Sequence, residues 1–276
     1  MAVPVLTYHS MNVGGNDYVN NDHVALREDL ALIHALGWRI MPLHRVAQLQ
    51  LAGRVEVLEK TLAICFDDGS NWDWYDIEHH LHGLQRGFAG ILHDFRAQTC
   101  RDDVHATSFV IAGPDERSEL DVTCMLGRGW WTDEWWREAW MNGIAIENHS
   151  WDHNHDTLRK TAQRGGRKGD FRWIDTYEEC DIEIRRAADY IDQRVGRPAC
   201  RLFAYPYGHC SDYLADFYLP VHTARHRQQA AFTTVGGPVK NSDGPWRLPR
   251  YVCGGHWASP DELESILRDS QAGVRT

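Results

Sequence analysis

Two adjacent carboxylates, Asp67 and Asp68, follow the apolar run Thr61–Phe66 and precede Gly69. Like charges side by side at a strand end repel unless something positive meets them, so this spacing asks for a metal ion or an arginine. A surface Asp-Gly turn is the plainer alternative. His149 and His153, four residues apart, follow a second apolar run, Ile144–Asn148. On a helical turn they would share one face and hold a cation between them. One carboxylate plus two imidazoles leaves coordination positions open, which is the arrangement of a catalytic rather than a structural zinc site. His155 and Asp156 follow, as groups behind that pair or as bystanders. A third segment, Phe203-Ala204-Tyr205-Pro206-Tyr207-Gly208, carries the Pro and Gly of a tight turn. Such a turn can aim a backbone N–H into a pocket and stabilise an oxyanion, or it can be structural only.

The elements that must position these groups are legible as alternation. Short apolar runs at Val3–Tyr8, Trp38–Pro42, Thr61–Phe66, Ala106–Ile111, Ile144–Asn148, Arg201–Tyr205, Ala231–Val235 and Arg247–Val252 predict strands covered on both faces. Between them lie helical signals. Leu26, Leu30 and Ile33 recur at helical spacing before Gly37. Thr176-Tyr177-Glu178-Glu179 reads as a capping box opening a helix that Gly196 and Pro198 close, and Ser259-Pro260-Asp261-Glu262 opens a last helix. This order predicts an α/β fold, a distorted (β/α) barrel of seven to eight strands formed as a single domain over residues 1–276. Catalytic groups of such barrels sit at the C-terminal ends of the strands, where all three segments fall.

Composition excludes several classes of partner. The chain has 276 residues, 39 acidic against 29 basic, and a formal net charge of −10. Without a cationic stripe it is a poor ligand for nucleic acid or anionic lipid. No window approaches the roughly 20 apolar residues of a transmembrane helix. The first residues lack a basic, then apolar, leader pattern, and the seven cysteines show no CxxC, so reduced thiols and a cytoplasmic location are expected. Five of the twelve tryptophans lie between Trp130 and Trp140. They read as a packed helix face and loop, or as a wall on which sugar rings stack. Oligomeric state is left open.

Taken together, Phe66-Asp67-Asp68-Gly69, His149-Ser150-Trp151-Asp152-His153 and Pro206-Tyr207-Gly208, in this order, resemble the three motifs of the NodB-homology polysaccharide deacetylases. The opening Leu6-Thr7-Tyr8-His9-Ser10 and the later Trp246-Arg247-Leu248-Pro249-Arg250 are similar to other segments of that family, and the resemblance spans about residues 3 to 255. It implies a metal-dependent hydrolase of a non-peptide carbon–nitrogen bond, with one divalent metal ion, usually zinc. Asp68, His149 and His153 match the metal ligands, Asp67 the general base, and the Tyr207 backbone N–H the oxyanion donor. The implied substrate is an N-acetylated amino sugar in a glycan or glycoconjugate. A small non-sugar amide or ureide is the alternative, supported by the long insertions Asn71–Arg101 and Ile111–Trp140, which would wall the pocket. A non-catalytic carbohydrate-binding domain is a further alternative, opposed by the intact Asp and His set.

Two departures matter. Ala204 stands where the family's third motif has an arginine that pairs with the catalytic aspartate, and Arg250, or else Arg247, is the expected substitute. The family's Leu-x-His near the C-terminus is absent, which leaves His256 as the expected general acid and His9 as a second candidate.

Overall fold

A computed structural model describes residues 2–163 and 169–272. Among the described residues ten strands are formed: β1 (Val5–Tyr8), β2 (Arg39–Ile40), β3 (Thr61–Phe66), β4 (Ile77–His79), β5 (Gly83–Gln85), β6 (Ala106–Val110), β7 (Ile144–Asn148), β8 (Leu202–Ala204), β9 (Ala230–Phe232) and β10 (Tyr251–Val252). Eight of them make one parallel sheet in the order β10-β1-β3-β6-β7-β8-β9, with β2 added to the start of β3. The sheet curls until its ends nearly meet. Leu248 donates its N–H to Ala231 and accepts from Thr233, while three residues later Tyr251 and Val252 pair with Leu6 and Thr7. A single segment, 248–252, therefore bonds the last strand on one side and the first on the other.

Every residue of β1, β3 and β6 is buried, because helices cover the outside of the sheet and side chains fill the inside. The period of two assigns them. Leu62, Ile64 and Phe66 join the outer core, with Leu26 and Leu30 of helix Asp22–Ala35 and Leu263 and Leu267 of the C-terminal helix. Ala63 and Cys65 point inward with Val5, Phe109, Leu202, Ala204, Phe232 and Leu248. Helix Leu43–Leu51 closes this inner core with Leu43, Val46 and Ala47. The next inward positions beyond Cys65 and Glu147 are Asp67 and His149, so the same alternation that packs the barrel aims them into its mouth.

The predicted start at Thr176 and stop at Gly196 are in place, and Asn21, which the sequence did not single out, caps the first long helix. Asn21 accepts the N–H groups of His23 and Val24, Thr176 accepts that of Glu179, and Gly196 ends its helix at φ +88°. Three features differ from the sequence reading. The insertion after Asn71 contains an antiparallel hairpin, β4–β5. Helix Tyr177–Val195 contains a π-helical stretch, Asp181–Arg186. Residues 149–153 form no helical turn: they are a loop with left-handed backbone at Ser150 (φ +76°) and His153 (φ +63°).

Candidate active site

Asp67 continues the inward face of β3 and is nearly fully buried. Arg250, itself fully buried, meets it with both arms of its guanidinium: Nη1 donates to Oδ1 at 2.7 Å and Nη2 to Oδ2 at 2.9 Å. The small inward residues Ala63, Cys65 and Ala204 leave the interior room for this side chain, which also lies over the Phe109 ring. Burial alone would push the Asp67 carboxyl up; the Arg250 charge, with His149 behind it, overrides this and holds the group below the usual carboxylate range. Arg247 plays no part in this pair, and its guanidinium bonds Asp212 and Asp216 at the surface.

The period of two would send Asp68 outward. Its left-handed backbone, φ +76°, instead leaves its carboxylate beside that of Asp67 at the mouth. Gly69 follows at φ +70°, and a Cβ there would lie 2.5 Å from Val110 Cγ1, so glycine is required by space as well as by conformation. Asp68 Oδ1 is 3.5 Å from His149 Nε2 and 3.4 Å from His153 Nε2. The ligand-type atoms of Asp68, His149 and His153 all lie within 4.8 Å of one another. The second nitrogen of His149, Nδ1, is 2.8 Å from the Ala204 carbonyl oxygen. That contact fixes Nδ1 as the donor and turns the Nε2 lone pair toward Asp68, the arrangement a metal-binding imidazole needs. Burial lowers the His153 pKa to about 3, so this ring is neutral and free to donate its lone pair. Burial opposes a charge on His149, but Asp67 and Asp68 outweigh it and raise its pKa, so a bound cation would take the place of that proton. One carboxylate oxygen and two imidazole nitrogens at this spacing could hold a divalent cation and leave positions open for water and substrate.

The third segment forms a tight turn, Pro206–Gly208, with Tyr207 at φ +57° and Gly208 at φ +69°. A Cβ on Gly208 would meet Thr234 Oγ1 at 1.9 Å. The Tyr207 ring packs edge-on against His153 at 4.5 Å between centroids. A cavity of about 280 Å³ opens here, lined by Asp67, Asp68, His149, His153, Tyr207 and, from the end of β1, His9.

The two candidate acids lie in different places. His256 is exposed and outside this cavity. The turn after β10 folds back so that His256 Nδ1 accepts the Val252 N–H at 2.9 Å, which fixes the ring on the surface. His9 is the imidazole that faces the carboxylates. Its peptide N–H is held by Asp22 at 2.7 Å, and its Nδ1 is buried without a hydrogen-bond partner.

The insertions divide their work differently from expectation. Ile111 and Trp131 of the second form the apolar wall. Among the described residues none of the first lines the cavity; Asn71 instead braces the wall, its Nδ2 donating to Gly129 and its Oδ1 accepting from Thr132. Of the tryptophan run, Trp135 and Trp136 are packed in the core and only Trp131 reaches the cavity. Sequence reading missed a second role for it: Trp131 Nε1 donates to the Asp68 carbonyl at 3.0 Å. No local motif signals that contact, because its partners are 63 residues apart.

Residues 54–219 match the family model for polysaccharide deacetylase. The chain belongs to the polysaccharide deacetylase family. Solved structures with this fold include the deacetylase PplD of Streptococcus pyogenes (18% identity, TM-score 0.67, covering 97% of this chain and 98% of that one). IcaB from Ammonifex degensii is similar at 19% identity and TM-score 0.66, over 98% of this chain and 97% of its own. The BpsB deacetylase domain from Bordetella bronchiseptica shares 14% identity at TM-score 0.61, over 91% and 95%. No curated protein matches the chain. The chain therefore has the family's parallel curled barrel, and Asp67, Asp68, His149 and His153 all cluster at its mouth. No helix of the described residues is long and apolar enough to cross a membrane, and all seven cysteines are free thiols.

Proposed function

We propose that this protein hydrolyses the N-acetyl group of an amino sugar in a glycan or glycoconjugate, releasing acetate and the free amine. The observation that carries the reading is the bidentate Arg250–Asp67 pair set beside the Asp68, His149 and His153 cluster in one cavity. Those three residues would hold a divalent cation, usually zinc in this family, which supplies Lewis acidity toward water and an amide carbonyl. The chain's own groups do the rest. Asp67, kept ionised by Arg250, takes a proton from the attacking water. The Tyr207 N–H, on its left-handed turn, donates to the oxyanion. His9 gives a proton to the leaving nitrogen, since an amide nitrogen leaves poorly without one.

A second reading, hydrolysis of a small non-sugar amide, is favoured by the size of the cavity, about 280 Å³, and by its Trp131 and Ile111 wall. One set of assays separates the two. Acetate release is measured across chito-oligosaccharides, sugar nucleotides and small amides, with metal content measured on the same preparation. The amino-sugar reading expects turnover on the glycans and about one bound metal. Turnover confined to small amides would select the second reading. Asp67→Asn is expected to keep the metal and lose turnover; a variant with retained activity removes Asp67 as the base.

A further inference from the structure

The loop that carries His149 and His153 belongs to no helix or strand, yet its shape decides whether two imidazoles converge. Left-handed backbone at Ser150, His153 and Asn154 costs about 1–2 kcal/mol per residue and persists only where the surroundings enforce it. The enforcement is visible in the peptide N–H groups. That of Ser150 donates to Asn148 Oδ1 at 2.7 Å, and that of His153 to Ser150 Oγ at 2.7 Å. Both acceptors belong to the loop or its strand. The two N–H groups between them, of Trp151 and Asp152, leave the loop altogether: both donate to Glu183 Oε2, at 3.0 and 3.3 Å.

Glu183 is only 3% exposed and sits in the π-helical stretch Asp181–Arg186. Two more contacts come from the same stretch. Asn148 Nδ2 donates to the Ile184 carbonyl at 2.9 Å, and the Arg186 guanidinium carbon lies 3.6 Å from the centroid of the Trp151 ring. A π-helical stretch inserts a residue into a helix and changes which side chains face a neighbour, and such stretches gather at functional sites. This one presents Glu183, the Ile184 carbonyl and Arg186 to the loop together.

We infer that Glu183 is a positioning residue for the metal centre: its carboxylate sets the backbone between His149 and His153 and thereby the separation of their ring nitrogens. The inference rests on the metal reading above. Partners that orient metal ligands from behind change affinity by roughly 10- to 100-fold when removed. Glutamine at this position keeps an oxygen that accepts both N–H groups, alanine keeps none, and aspartate keeps the charge but draws it back by one methylene.

The test is the zinc affinity of the metal-stripped protein, by chelator competition, together with the visible absorption of the cobalt-substituted form, which reports ligand geometry. Glu183→Ala is expected to bind zinc about 10- to 100-fold more weakly and to alter the cobalt spectrum, while Glu183→Gln stays near wild type. Where the alanine variant does not fold, Glu183→Asp carries the test, with weakening expected relative to Glu183→Gln. Wild-type affinity and spectrum in folded Glu183→Ala or Glu183→Asp would overturn the role of Glu183 and leave the metal site standing. Wild-type protein that binds neither metal would instead overturn the metal reading, and this inference with it.

Discussion

Asp67 lies too deep for water to carry its charge, so the charge rests on Arg250. Arg250→Gln strands a buried carboxylate, and unfolding free energy is expected to fall by about 3–5 kcal/mol, measurable by chemical denaturation. With the guanidinium gone, the largest force opposing desolvation is lost and the Asp67 pKa rises. A base must be ionised to act, so the acid limb of kcat/KM should move to higher pH; an unmoved limb would mean that Arg250 does not tune this group. The two histidines proposed for the acid separate by position. His9→Gln is expected to lower kcat by about 10²–10⁴-fold, and His256→Gln to leave it unchanged. The choice between them was beyond the sequence. Asp67, Asp68, His149 and His153 declare themselves by short spacing at strand ends, but whether a lone loop histidine faces the mouth depends on how a distant turn folds back. Arg250 was legible only as a candidate, because its partner is 183 positions away and the deciding fact is the room left by Ala63, Cys65 and Ala204.

Strands β7 and β8 are joined thinly, with Asn148 opposite Phe203 as their paired position. Glu147 fills the gap: its Oε2 accepts the N–H groups of Arg201 and Leu202 at 2.6 and 2.7 Å. Burial raises its pKa from an ordinary glutamate value to about 8, against the pull of those bonds. A carboxyl whose folded pKa is raised holds a proton that the unfolded chain has already released. Its contribution is therefore full below about pH 4.5 and lost as pH rises toward 8. Glu147→Gln keeps an accepting oxygen and never ionises. Its Tm should match wild type near pH 5 and exceed it near pH 8.5; equal Tm values at both would show that Glu147 carries no such cost. The strands themselves were readable as apolar runs, although β2 and β10 are only two residues each. The hairpin β4–β5 was not readable, since Ile77-Glu78-His79 and Gly83-Leu84-Gln85 are too short to show a period. The helical turn expected at 149–153 failed for a different reason: the spacing of two histidines suits any loop whose backbone is held externally, and the holder lies on another element.

The family match covers residues 54–219, yet the barrel extends beyond them at both ends. Strands β1, β9 and β10, His9 and Arg250 all lie outside it. A fragment of residues 54–219 would expose the edges of β3 and β8, which normally pair with β1 and β9, and would lack the partner of Asp67. Heating such a fragment should give no cooperative transition by circular dichroism, in contrast to the whole chain; a sharp transition would show that the central strands form a self-sufficient core. The closing segment 248–252 gives this a further meaning in time. Translation delivers the N-terminal part of the chain first, and contacts between distant positions form late. Asp68, His149 and His153 leave the ribosome some hundred residues ahead of Arg250. A growing chain thus holds Asp68, His149 and His153 well before it holds the partner of Asp67, so the proposed ion site and its base become competent together, only when the last segment closes the barrel.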